Sequence, residues 1–294
     1  MVKVFKNQVW MDRERGLRGQ NPDSAMTLVI AFYKNFPVLD LTLASVEIQT
    51  MEDFSLIICD DGSDEPTVNI LHQRLNQMKI PILHLWHEDK GFRKNRILNW
   101  GIHHCPSEWM VFIDQDCILH HEFLREHYEY RQPNAVLCGR RMDLTPVVTK
   151  LLTREKVYNH YLQKNLWWIL PFGLYMKDNN GGKGIYFKSS WLRRLANQKP
   201  RAIVGCNFSL AKKHLIDING FDFRYEGAGI GEDSDIEYRL RLNGVQMVPF
   251  CNTAVQYHQY HRLLNRPNEN EKIFEQVQKE KKAVTEYGLR QQLA

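Results

Sequence analysis

Short apolar runs recur along the first half of the chain, and each is closed by polar or acidic residues. Met26 to Phe32 (MTLVIAF), Phe54 to Cys59 (FSLIIC), Pro81 to Trp86 (PILHLW) and Trp109 to Ile113 (WMVFI) have the length of buried strands. Between them the spacing turns helical: Leu39, Leu41, Leu43, Val46 and Ile48, then Val68 to Gln77, then Asn95 to His104. This alternation predicts an α/β fold with a mostly parallel sheet covered by helices on both faces. The second half is less regular. Helix is predicted over 118–132, 153–168, 212–218 and 234–243, and strand over 135–138, 203–210 and 246–250. Asn179 to Gly184 (NNGGKG) reads as a loop. Glu269 to Tyr287 reads as an amphipathic helix with Ile273, Phe274, Val277 and Val284 on its apolar positions.

These elements divide the chain into a tail over 1–25, one domain over 26–266 with halves at 26–132 and 133–266, and a C-terminal helix over 267–294. The tail is polar and carries an Asn21-Pro22-Asp23-Ser24 turn signal. With 294 residues, 43% apolar and 25% charged, the composition is that of a folded globular protein. The formal charge of +5 fits a phosphate-bearing ligand without requiring one. Six scattered cysteines without CxxC spacing are expected to be reduced and mainly buried. The opening MVKVFKNQVWMDRERG has no signal-peptide apolar core, and no segment reaches the roughly 20 apolar residues of a membrane span. The expected location is cytoplasmic, compatible with peripheral attachment to the inner membrane. Basic residues are dispersed without a nucleic-acid-binding module, so no nucleic-acid partner is expected.

Parallel sheets bind ligands beyond the carboxyl ends of their strands. Tyr33, the Asp60-Asp61 pair, His87 to Lys90, and Asp114 with Asp116 fall at four such ends. Asp114 and Asp116 have the spacing to gather Mg²⁺ or Mn²⁺, although a surface turn would also carry them. Asp60 and Asp61 can accept hydrogen bonds from a nucleobase or ribose, while Gly62 and Ser63 are ordinary turn chemistry. In KGFRKNR, Arg93 and Arg96 are three apart on a helix start, a pattern suited to a diphosphate or to a solvated face. Gly227 to Gly231 leads into Glu232-Asp233-Ser234-Asp235, where glycines allow close backbone approach and one carboxylate can accept a hydroxyl proton. Acidic residues at a helix start also have a purely structural reading. His258 and His261 occur in YHQYH, and His258 could complete a metal site with Asp114 and Asp116. There is no HExxH, four-cysteine or P-loop pattern. The aromatic stretch 153–172, with Tyr158, Tyr161, Trp167 and Trp168 beside Lys156 and Lys164, offers an acceptor-facing or membrane-proximal surface, or core.

Taken in order, MTLVIAFYKN, IICDDGSDE, DKGFRKNRILNWGI and VFIDQDC resemble the nucleotide-binding half of family 2 glycosyltransferases with a GT-A fold. GCNFSLAKKHLIDINGFDFRYEGAGIGEDSDIEYRLRLNG resembles the acceptor-side segment of β-1,4-galactosyltransferases and bacterial chondroitin-type polymerases. The resemblance implies a nucleotide-sugar-binding half over 26–132, an acceptor-binding half over 133–266, and a smaller acceptor-side sheet. It implies nucleoside contacts at Tyr33 and Asp61 with Asp60 adjacent, and phosphate contacts at Arg93 or Arg96, because Leu98 stands where relatives carry arginine. Asp116 and His258 would be metal ligands, with Asp114 facing the metal or the ribose and diphosphate. Asp233 would be the general base and Glu232 its catalytic neighbour. Asp235 would meet the acceptor; Gly229, which stands where an aromatic could stack on an acceptor sugar, and Trp168, in a segment without a counterpart in the resemblance, are the further acceptor-binding candidates. The implied activity is inverting transfer from a UDP-sugar, with Mn²⁺ or Mg²⁺, to a saccharide or lipid-linked saccharide in bacterial surface polysaccharide synthesis. A nucleotidyltransferase acting on sugar phosphates and a non-catalytic nucleotide-sugar-binding protein are the alternatives. The first is disfavoured because Tyr33-Lys34-Asn35, not a glycine-rich loop, follows the first predicted strand.

Overall fold

A computed structural model describes residues 2–16, 24–175, 180–227, 229, 231–262 and 269–293. Eleven strands are found among them: β1 (Val2–Lys6), β2 (Met26–Phe32), β3 (Phe54–Asp60), β4 (Ile82–His87), β5 (Trp109–Asp114), β6 (Cys117–Leu119), β7 (Ala135–Cys138), β8 (Met142–Asp143), β9 (Phe208–Ala211), β10 (Gln246–Pro249) and β11 (Gln256–His258). Eight form one sheet in the order β1-β4-β3-β2-β5-β9-β7-β10, and three form a smaller one in the order β6-β11-β8. The run β4-β3-β2-β5 is parallel, as the strand–helix alternation predicts, while β9 and β1 run antiparallel to their neighbours. One sheet therefore passes through both predicted halves of the chain.

All seven residues of β2 and of β3 are buried, because helices cover both faces. Alternation sorts the side chains. Leu28, Ile30, Leu56 and Ile58 pack against Leu39, Leu43, Leu71 and Leu75 on one face. Val29, Ile57 and Cys59 pack against Ile97, Leu98 and Ile102 on the other, together with Leu215, Ile236 and Leu240. A third cluster around Met142, Leu144, Val148, Leu162 and Tyr257 lies at the small sheet. All six cysteines are free and buried.

Several expectations about elements need correction, among them the strand over 203–210, which is confined to Phe208–Ala211. Residues 2–14 are no tail: β1 is the edge strand that pairs with β4, and the Gln8–Glu14 helix follows, capped by Asn7, whose side chain accepts from the Trp10 amide. The alternation in VKVFK was a strand signal obscured by the charged residues after it. The 118–132 stretch begins as β6 and becomes helix only over Phe123–Glu129. The 153–168 stretch breaks into short helices, with His160 in the left-handed region at φ 56°. The C-terminal helix runs Glu269–Glu280 and stops where Lys281 takes φ 51°; a short helix resumes at Leu289–Leu293, leaving Val284 exposed and Val277 buried. Asn21 to Asp23, Asn179, Ala228 and Ile230 lie outside the described residues.

Gly62 shows why the β3 exit needs glycine. It takes φ +104°, and a Cβ there would meet the Asp89 backbone at 2.5 Å. Trp10 tests the β1 region. It is 7% exposed within the core cluster, and its indole N–H donates to Glu14. Trp10→Ala should lower stability by ~3–5 kcal/mol in urea unfolding, the range for truncating a buried Trp. A loss under about 0.5 kcal/mol, the scale of surface changes, would mean that the segment does not pack as described.

Candidate active site

A cavity of about 860 Å³ opens at the carboxyl edge of β2, β3 and β5. Its lining includes Tyr33, Asp61, Lys94, Asp114, Asp116, Arg141, Gly229, Glu232, His258 and His261. The volume is in the range of small-molecule sites. Cations and carboxylates interleave on its wall, which limits the cost of placing so many like charges together.

Tyr33 stands at the rim, and its hydroxyl donates to Asp89 at 3.0 Å. Asp61 is held from two sides, by His87 at 2.6 Å and by the Arg93 backbone N–H at 2.8 Å. Asp60 departs from expectation. It is fully buried, accepts from the Gly62 and Ser63 amides, and pairs with His84 at 3.1 Å. Its role is to build the turn that presents Asp61.

Arg93 and Arg96 also depart from expectation, because neither is among the described residues lining the cavity. The Arg93 side chain donates to the Glu88 carbonyl, and Arg96 lies 4.0 Å over the Phe223 ring. The helix starts at Lys94, and it is this residue that turns inward. The Lys94 ammonium lies 2.7 Å from Asp114 and 2.9 Å from Glu232. Burial works against its charge, but the two carboxylates more than offset that and raise its pKa well above the ordinary value. Asp114 is thus an ion-pair partner and is not part of the cation-ligand cluster.

That cluster is Asp116, His258 and His261, whose candidate ligand atoms all lie within 4.8 Å of one another. Both imidazole Nε2 atoms are 3.2 Å from the same Asp116 oxygen. Small-sheet register produces this placement: His258 is opposite Cys117 on β6, and opposite Asp143 on β8. Asp143 lies 3.2 Å from His258 Nδ1, which leaves Nε2 facing Asp116. Burial raises the Asp116 carboxyl, but hydrogen bonds from His258 and His261 dominate and hold it below the usual range. Burial lowers His258, yet bonds to Asp116 and Asp143 lift it to about 9. One carboxylate and two imidazoles are a fitting donor set for a divalent transition metal.

In the acidic block, Gly231 takes φ +132°, and a Cβ there would sit 2.1 Å from the Tyr225 ring. The close turn starts the Glu232–Leu242 helix at the cavity wall. Glu232 lines the cavity; one carboxylate oxygen meets Lys94, and the other is buried without a partner. Asp233 is half-buried beside Gly205, outside the main lining, with its carboxylate accepting from the Ser234 amide at 2.8 Å. Gly229 lines the cavity. Asp235 does not reach it. At 1% exposure it accepts from Arg239 at 2.6 and 2.8 Å and from the Tyr225 hydroxyl at 3.3 Å. Trp168 packs on the third core cluster, and its indole N–H donates to Asn165, whereas neighbouring Trp167 is 76% exposed.

Sequence reasoning missed Lys94, Asp143 and Arg141, and left His261 without a role. The HxxH spacing was a usable signal for His261. Lys94 required knowing the residue at which the helix begins.

Residues 27–197 match the family described as glycosyl transferase family 2, and residues 196–262 match the N-terminal domain of galactosyltransferase. The chain belongs to glycosyl transferase family 2 and has the GT-A fold. It is 26% identical over 268 residues to a chondroitin synthase from Escherichia coli, a match covering 85% of this chain and 38% of that protein. It is 21% identical to a validoxylamine A glucosyltransferase from Streptomyces hygroscopicus subsp. jinggangensis, covering 76% of this chain and 52% of that one. The chain therefore spans only part of the length of these relatives. Two solved structures share its fold at a TM-score of 0.53 each. One is the mannosyltransferase PcManGT from Pyrobaculum calidifontis in complex with GDP-Man and Mn²⁺, 14% identical over 86% of this chain and 64% of that one. The other is S. aureus TarS 1–349 in complex with UDP-GlcNAc, 13% identical over 81% of this chain and 59% of that one. No helix among the described residues is long and apolar enough to cross a membrane.

The buried pair at Asp235 yields a direct test. Removing the carboxylate leaves the 1%-exposed Arg239 uncompensated. Asp235→Ala should destabilise by ~3–5 kcal/mol, as for other broken buried pairs, visible in chemical denaturation. A variant of unchanged stability that had lost only acceptor affinity would return Asp235 to the binding surface.

Proposed function

We propose that this chain is an inverting, metal-dependent glycosyltransferase that moves a sugar from a UDP-sugar to a hydroxyl of a saccharide or lipid-linked saccharide. The observation that carries this reading is one cavity lined by a carboxylate–imidazole cluster, Asp116, His258 and His261, and by Glu232 of the acidic block. The donor's nucleoside would lie against Tyr33 and Asp61, and Asp114 would face its ribose or diphosphate. A divalent cation held by Asp116, His258 and His261 would supply charge neutralisation for the diphosphate leaving group.

In the proposed reaction the acceptor oxygen forms a bond to the anomeric carbon while that carbon's bond to the diphosphate oxygen breaks. UDP leaves with the electron pair, and the acceptor proton passes to Asp233. Asp233 is assigned the base role because it matches the family's base position in the resemblance, with Glu232 beside it to orient the acceptor. Synthesis of a bacterial surface polysaccharide or lipooligosaccharide is the setting that the chondroitin synthase relatives support. The same kinship, together with a cavity sized for a small molecule, favours the transferase over nucleotidyl transfer or passive binding.

Two measurements test this reading. Calorimetry should show weak UDP binding in EDTA and a clear gain with Mn²⁺, larger than with Mg²⁺ because two of the three protein ligands are imidazoles. Asp143→Ala should weaken Mn²⁺-dependent binding by ~10–100-fold through loss of His258 orientation. Equal UDP affinity with and without metal would overturn the metal assignment.

Turnover assays across UDP-, GDP- and CMP-sugars should single out UDP. Asp233→Asn should lower transfer by ~10²–10⁴-fold, the scale of general base catalysis, with UDP binding retained. Transfer within threefold of wild type would move the base assignment to Glu232.

A further inference from the structure

Lys94 stands where the two halves of the proposed reaction meet. Asp114 ends β5 on the donor side, Glu232 opens the acceptor-side helix, and the Lys94 ammonium spans them at 2.7 and 2.9 Å. All three residues line the same cavity. A void of about 10 Å³ beside them is lined by Phe112, Phe208 and Phe221 but also by Glu232 and Asp233. It has barely the space of one water, so the room for the ammonium to move is in the cavity.

The local charge is unbalanced: one cation serves two carboxylates, and Glu232 Oε2 is buried with no hydrogen-bond partner. A diphosphate entering this cavity adds further negative charge beside the ammonium. Phosphate oxygens and Glu232 then compete for the same three N–H donors.

We propose that Lys94 is a positioning residue that couples donor binding to the acceptor side: without donor it ties Glu232 to Asp114, and a nucleoside diphosphate draws it away from Glu232. Release frees the Glu232 carboxylate, beside Asp233, to receive an incoming hydroxyl after the donor is in place. This inference rests on the donor-site reading above and adds an order of events to it. The coupling must be reciprocal. Whatever weakens the hold of Glu232 on Lys94 must strengthen the hold of diphosphate on Lys94.

A double-mutant cycle measures this by calorimetry with UDP and Mn²⁺, using uridine as the control ligand. Glu232→Gln should tighten UDP about 5- to 10-fold in the otherwise wild-type protein, and less than twofold in a Lys94→Met background; contacting residues show non-additivity of this size. Lys94→Met alone should weaken UDP and leave uridine unchanged, while Lys94→Arg should restore most of the UDP affinity. If Lys94→Met alone folds poorly, Lys94→Gln supplies the second background in which the effect of Glu232→Gln is read. Equal effects of Glu232→Gln in both backgrounds, with wild-type UDP binding intact, would overturn the coupling and spare the donor site. Absence of UDP binding by the wild-type protein would overturn the donor reading and this inference with it.

Discussion

Strand β2 has no residue free to face water, and most of the architecture follows from that constraint. Its seven residues are buried, with β3 on one side and β5 on the other, so every backbone polar group must be satisfied within a parallel ladder. Parallel strands require crossovers, and the crossover helices bury both sheet faces. Polar side chains within the strands, such as Thr27, Ser55 and His84, are buried and paired, and the groups that can meet a ligand gather at the carboxyl ends. Tyr33, Asp61 and Asp114 share one rim because β2, β3 and β5 are held in register beside one another.

Carboxylates gathered this way repel one another, and the structure offsets each with a particular cation or hydrogen-bond donor. His84 and two amides hold Asp60, while His87 and the Arg93 amide hold Asp61. Lys94 holds Asp114 and Glu232. Arg239 holds Asp235. The acids divide by exposure to the cavity. Asp60 and Asp235 are sealed and shape the turn and the helix start, whereas Asp61, Asp114, Asp116 and Glu232 keep a face on the cavity. Acidic clusters here combine structural and chemically available members, and adjacent residues differ in kind.

That division explains what was legible in the sequence. Apolar run length and helical spacing located β2 to β5 and the helices between them, because those signals report burial directly. The acidic clusters and YHQYH were found because carboxylates and imidazoles at strand ends have few roles. Orientation was not legible. Asp60 and Asp61 are neighbours on an extended segment, so one faces His84 inside and the other faces the cavity. Choosing Arg93 and Arg96 over Lys94 depended on the residue at which the helix begins, and one position turns the face by about 100°. Trp167 and Trp168 pose the same problem, as one is exposed and the other packs inward. Val2 to Lys6 shows a different failure: a short edge strand exposes part of its surface, so its composition resembles that of a tail.

Three strands with eight residues between them settle the placement of the cation-ligand cluster. β6 begins directly after Asp116, and β11 pairs with it so that His258 stands opposite Cys117. On the other side β8 sets Asp143 opposite His258. Side chains alternate with period two, so a one-residue slip of β11 would turn His258 away from both partners. What fixes the register is apolar. Tyr257, the neighbour of His258, points the other way into a core with Ile118, Met142 and Leu144, fully buried with its hydroxyl on the Gly184 carbonyl at 3.2 Å. The imidazole is aimed by the burial of the residue before it. Strand β11, distant in sequence from Asp116 but paired with the strand that follows it, therefore turns an acidic pattern at a strand end into a three-sided cluster.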